Sequence, residues 1–181
     1  HSTGGGVVVR YITRHPEDKV AGGVLISAVP PLMVKTADNP DGIDKAVFDG
    51  FQASAKANRA QFFHTVPAGP FYGYNRDGAT PSAPVIDNWW RQGMMGGAKA
   101  HYDSIVAFSQ TDFRAEMKTI TAPMLVLHGE DDQLVPFEIS GKKSAELLQN
   151  VTLISYPGFP HGMPTTEAET INKDLLAWLR R

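Results

Sequence analysis

Cysteine is absent from this chain. That excludes disulfides, thiolate-bound zinc and a cysteine nucleophile among these residues, and it fits a cytoplasmic location. An excess of charge is missing too. Seventeen Lys and Arg against nineteen Asp and Glu leave a net charge of −2, without the basic footprint of a nucleic-acid binder. No apolar run approaches the roughly 20 residues of a membrane span. No signal-peptide pattern opens the sequence, although a chain that starts downstream of its natural beginning leaves that question open. The six histidines fall without metal-ligand spacing, and there is no His-Glu-x-x-His pair. Repeats and low-complexity segments are also lacking. What remains is a chain of 181 residues, 42% hydrophobic and with three tryptophans, long enough for one domain with a sizeable core.

Taken in order, residues 4–15 read as a helix with Val8, Tyr11 and Ile12 on one face and Pro16 as the stop. Its three consecutive valines are poor helix formers, so packing against a sheet has to override propensity. Residues 22–29 form a short apolar run closed by Pro30-Pro31, which suits a buried parallel strand. Helix then strand is half of an α/β alternation. From Pro30 to about Asp112 the character changes: no good strand, many Gly and Pro, and most of the aromatics. Helical spacing appears at 44–65, 85–95 and 99–109, around a turn-rich stretch at 67–84. These residues predict a helical insertion, or cap. The alternation then resumes, with a second strand at 123–128, a helix at 137–148 and a third strand at 151–156. An amphipathic helix at 166–181 follows, with Ile171, Leu175, Leu176, Trp178 and Leu179 inward.

Chemistry points to three places. The opening His1-Ser2-Thr3-Gly4-Gly5-Gly6 carries most of a nucleophile elbow, a serine on a strained strand-to-helix turn with glycine two places on. The leading glycine is missing, and such a run also suits a flexible tail. Two loops follow predicted strands, where open α/β sheets place their ligands. One is His128-Gly129-Glu130-Asp131-Asp132-Gln133-Leu134-Val135-Pro136, which offers three acids; the other, Tyr156-Pro157-Gly158-Phe159-Pro160-His161-Gly162, offers a histidine. A serine hydroxyl is a weak nucleophile until a histidine takes its proton, and that histidine needs a buried acid to hold its tautomer. Serine, acid and histidine occur here in the chain order of α/β-hydrolases.

The resemblance goes further. The opening run, the strand exit Leu25-Ile26-Ser27-Ala28-Val29-Pro30-Pro31-Leu32-Met33, the acid loop and Pro160-His161-Gly162 resemble the cofactor-free bacterial haloperoxidases. That group of α/β-hydrolases also holds esterases and γ-lactamases. Val47-Phe48-Asp49-Gly50 and Gly69-Pro70-Phe71-Tyr72-Gly73 look alike as well, so the likeness spans the chain as roughly the last two-thirds of such an enzyme. It implies an α/β-hydrolase core, 1–29 and 113–181, with strands upstream of the elbow missing and residues 30–112 inserted as a helical cap. It implies Ser2 as nucleophile, His161 as base and Asp132 as orienting acid, because Asp132 precedes Gln-x-Val-Pro; Asp131 and Glu130 are the alternatives. One oxyanion donor would be the Thr3 N–H and the other would lie upstream.

The implied activity is acyl transfer without haem, vanadate or metal. In the perhydrolase reading, hydrogen peroxide intercepts the acyl-enzyme and the released peracid oxidises halide; an esterase or γ-lactamase would use water. The expected partners are a small ester, carboxylic acid or lactam with peroxide and halide, no nucleic acid and no membrane, and homo-oligomeric assembly is an option. Val29 and Leu134, each at a strand exit beside a triad loop, are expected to line the acyl pocket, with Trp89 and Met94 added from the cap. Two competing readings are an inactive fragment or half of a split enzyme, and a non-catalytic binding module. The missing strands would leave an open apolar sheet edge, a predicted aggregation site.

Overall fold

The computed structural model describes residues 1–180. Three parallel strands, β1 (Gly23–Ile26), β2 (Met124–Gly129) and β3 (Val151–Tyr156), form a sheet in the order β1-β2-β3. Gly23 pairs with Met124, and Met124 with Val151. The central strand is buried at every position, as a parallel strand covered on both faces must be. β1 and β3 form the two edges, and Leu153 on β3 is 38% exposed.

Helix α1 (Gly4–Arg14) runs from the opening turn and packs on β1. Its valines are sorted by the sheet: Val9 is fully buried, Val8 packs beside it, and Val7 faces outward. Gly5 and Gly6 permit this close approach. A Cβ on Gly5 would stand 2.4 Å from the Ala28 methyl, and one on Gly6 would stand 2.5 Å from the Phe113 ring. Tyr11, expected on the buried face, is 47% exposed and hydrogen-bonds Asp18. Its hydroxyl finds a partner at the surface that the core does not offer.

β1 is shorter than the apolar run around it. Ser27 takes a left-handed backbone, φ 43°, which ends the strand four residues after it begins. The chain then turns through Pro30 and Pro31 into the helical segment. There α2 (Lys45–Ala57) and α3 (Arg59–Ala68) replace the single helix expected at 44–65. Asn58 separates them because it is extended and its side chain accepts the Gln61 N–H, capping the second helix. α4 (Ala83–Met95) and α5 (Ala98–Gln110) follow. Between β1 and β2 the described residues contain no strand, only two isolated bridges at Val34–Ile43 and Thr36–Asn39.

A short α6 (Arg114–Met117) returns the chain to β2. The helix expected at 137–148 is divided into a 3₁₀ turn, Phe137–Ile139, and α7 (Gly141–Leu147). Ser140 interrupts it, with φ −126° and ψ −86°, and its hydroxyl bonds to the Pro136 carbonyl. The last expected helix is α9 (Ala168–Leu179), and a short α8 (Met163–Thr166) precedes it. Ile171 is buried, and Leu175 and Trp178 pack beside it, whereas Leu176 and Leu179 are exposed. A stripe one residue wide per turn is all that this face of the sheet covers. Arg181 lies outside the described residues.

Candidate active site

Three loops converge at the C-terminal ends of the strands. The first is the turn into α1. Ser2 has φ 52°, a backbone region that costs an L-residue roughly 1–2 kcal/mol. Hydrogen bonds hold it there: the Ser2 N–H donates to the Ile26 carbonyl, and the Ser2 carbonyl accepts from Gly5 and Val29. The turn is therefore stitched to the end of β1, and its side chain is projected away from the sheet.

The second loop leaves β2. Asp132 is buried, and its Oδ1 accepts the Leu134 and Val135 N–H groups at 3.0 and 2.8 Å. Its Oδ2 lies 2.7 Å from His161 Nδ1. Burial would raise its pKa, but hydrogen bonds from His128, His161 and the Val135 amide outweigh this and hold the carboxyl well below the usual carboxylate range. The third loop follows β3 and carries His161, buried to 1% exposure, with Nε2 3.0 Å from Ser2 Oγ. Ser2, His161 and Asp132 thus form one continuous chain of hydrogen bonds. The alternative acids lie elsewhere: Asp131 pairs with Arg76 at the surface, and Glu130 accepts from Ser155.

A cavity of about 320 Å³ opens above the serine. Ser2, Thr3, Val29, Leu134 and His161 form its floor, and the helical segment supplies Phe48, Phe51, Phe62, Phe63, Phe71 and Trp89. Of the four residues expected to line it, Val29, Leu134 and Trp89 do so. Met94 does not: it lies near the end of α4, where its carbonyl accepts from Arg59 instead. Phe71 meets Trp89 edge-on at 5.2 Å and His161 at 4.9 Å, joining roof to floor. Its loop is fixed by the Gly162 N–H donating to the Phe71 carbonyl.

Two further histidines touch this chain of bonds. His1 Nε2 lies 3.0 Å from the His161 carbonyl, and the two rings sit 4.8 Å apart. His128, fully buried, stands behind Asp132. Neither is visible from spacing, although each is sequence-adjacent to a motif: His1 precedes the serine and His128 ends the strand before the acids. Among the described residues no group of three or more His, Cys, Asp or Glu is placed to hold a metal ion, and no helix is long and apolar enough to cross a membrane.

A serine on the tight turn that leads into a helix beside the sheet, with acid and histidine on the loops after the next two strands, defines a class. The α/β hydrolase fold family model matches residues 1–167, and the chain belongs to that family. Within it, the chain is 73% identical over 180 residues to a bifunctional esterase/perhydrolase of Acinetobacter calcoaceticus, covering 99% of this chain and 65% of that protein. It is 58% identical to a non-heme chloroperoxidase of Streptomyces lividans, again over 99% of this chain and 65% of the other. The crystal structure of a bromoperoxidase from Bacillus anthracis superposes with a TM-score of 0.93 at 34% identity, covering 99% of this chain and 65% of that one. The chain thus spans about 65% of the length of these relatives.

Proposed function

We propose that these residues carry serine-dependent acyl transfer, forming peracids from short carboxylic acids and hydrogen peroxide, with ester hydrolysis as a side activity. The observation that carries this reading is the unbroken chain Ser2 Oγ, His161, Asp132 at 3.0 and 2.7 Å beneath an apolar cavity. In the esterase direction, His161 Nε2 takes the hydroxyl proton while Ser2 Oγ bonds to the carbonyl carbon. The bond to the leaving oxygen then breaks, and His161 returns the proton to that oxygen. Asp132 stays ionised throughout and holds Nδ1–H, so that Nε2 is the free base.

Water or hydrogen peroxide next attacks the acyl-enzyme, His161 accepting its proton and Ser2 leaving with it. Peroxide gives a peracid, which oxidises halide by two electrons in solution and is itself reduced to the acid. With a free carboxylic acid as acyl donor, water is the first leaving group. The Thr3 N–H, beside the serine, is the oxyanion donor in this scheme. Residues 1–29 and 113–181 act as the core, and 30–112 as a cap that shapes the acyl pocket. The apolar walls supplied by Val29, Leu134 and Trp89 favour a small, uncharged acyl group. Hydrolysis of small esters or lactams is the second reading, favoured by the esterase half of the Acinetobacter relative's name.

The test pairs two assays on the full-length natural protein, p-nitrophenyl ester hydrolysis and peroxide-dependent bromination of a phenolic dye. Both are expected, and both are expected to vanish in S2A. Retention of either in a folded S2A protein removes Ser2 from that reaction. Ester hydrolysis without peroxide-dependent bromination would leave the esterase reading alone standing.

A further inference from the structure

Among the described residues, His128 is the one fully buried titratable side chain that the acyl-transfer scheme leaves without work. Its ring is clamped. A Cβ on Gly141 would fall 2.5 Å from His128 Nδ1, and the Phe137 ring lies 5.7 Å away. Nδ1 has no hydrogen-bond partner, whereas Nε2 stands 2.8 Å from the Val135 carbonyl. A carbonyl only accepts, so Nε2 carries the proton, and a second proton on Nδ1 would be buried without an acceptor. The ring is therefore the neutral Nε2–H tautomer. That same N–H lies 3.5 Å from Asp132 Oδ2, the oxygen facing His161.

We propose that His128 is a positioning residue for the Asp132–His161 pair, a role that rests on the triad reading above. It acts twice. It holds Val135 by its carbonyl while the Val135 N–H holds Asp132 Oδ1, and it sets a donor beside Oδ2. Asp132 then has no freedom to rotate away from His161. Its remaining charge is partly balanced by neutral donors, which tempers its pull on the imidazolium. The groups around the pair are few: His1 and Ser2 face His161 from the turn before α1, and Phe71 faces it from the loop between α3 and α4. The Arg76–Asp131 ion pair and Glu130 lie on the solvent side of the same loop.

H128F keeps the ring and removes the donor; H128Q keeps a donor near the Nε2 position. In the full-length protein, H128F is expected to lower kcat for ester hydrolysis about tenfold, the effect of one hydrogen bond, with KM within about twofold. The acid limb of its kcat/KM profile moves to higher pH by about 0.5, because a less balanced carboxylate favours the imidazolium. H128Q restores both the rate and the limb, which a merely structural packing role would not predict. Equal losses in the two variants with an unmoved limb would overturn the proposal, as would full activity in folded H128F. Imidazole ¹⁵N NMR of the unaltered protein tests it without any substitution: a protonated Nδ1 on His128 defeats it even if H128F fails to fold. An active S2A would instead defeat the triad reading itself.

Discussion

The floor and the roof of the cavity are built by different forces. On the floor, Ser2, Asp132 and His161 are each fixed by hydrogen bonds to backbone or to one another, at the ends of β1, β2 and β3. In the roof, α2 to α5 contribute rings that meet edge to face, such as Phe48 with Phe51 and Phe108. Its few polar ties serve the helices: Arg59 closes the C-terminal carbonyls of α4, and Trp90 donates to the Ala60 carbonyl. Directional bonds fix atoms to tenths of an ångström, which a proton transfer needs. Ring contacts fix volume and tolerate rearrangement, which is enough for choosing a substrate. Reaction rate should therefore answer to the floor and selectivity to the roof.

The largest expected effect strikes the floor at its reacting atom. S2A and H161A should each lower kcat for ester hydrolysis by about 10⁴-fold or more, with the fold intact by circular dichroism. D132N should come next, about 10³- to 10⁴-fold, because an amide in place of the carboxylate favours the wrong imidazole tautomer. If D132N fell only severalfold, the directional half of the contrast would be wrong. Roof substitutions belong to a different scale and a different parameter. W89A or F71A should change kcat/KM by about ten- to a hundredfold, unequally for acetyl and longer acyl esters. Uniform loss across acyl lengths would show that these rings serve the reacting atoms instead. M94A, at the outer end of α4, should leave the rates unaltered and move stability within about 0.5 kcal/mol, read from a urea midpoint.

Beneath the roof, acid and alkali act on two different groups of the core. Asp132 is held below its ordinary pKa in the folded protein, so the stability it contributes is present above the unfolded value near 3.9 and fades as pH falls below it. D132N should lose that part of the acid dependence of unfolding. Tyr156 runs the other way. Burial and the hydrogen bond to Asp174 raise its pKa, so its contribution is full below about 10 and is lost as pH climbs above that. Y156F should cost about 1 kcal/mol at neutral pH and flatten the alkaline side of the unfolding curve.

The sheet was legible because its strands are apolar runs bounded by Pro and Gly, and β3 begins and ends where its residues predict. Helix interruptions were less so. Asn58 and Ser140 break apolar periodicity through local side-chain bonds to backbone, and periodicity does not register such bonds. Tyr11, Leu176 and Leu179 were misplaced for another reason: a helix face is apolar enough to be buried, but what lies opposite decides whether it is. In the site, Ser2 is named from its elbow-like run and His161 from a loop that follows a strand, whereas Asp132 is told from Asp131 and Glu130 only by the family resemblance, through the Gln-x-Val-Pro that follows it. His128 could not be named, since its meaning depends on Val135 folding back over it. Apart from Trp89, the roof rings escape for the same reason: from spacing alone, Phe62 and Phe63 are no different from any other aromatics on a packed helix.

The chain leaves for the roof and returns at neighbouring points: the Phe113 N–H donates to the Pro31 carbonyl at 2.9 Å, and the Val34 N–H to the Ser109 carbonyl at the same length. Entry and exit are thus a single doorway. A helical segment hung on such a doorway can change its length without pulling on the strand ends beneath it, because both of its ends are tied at the same place.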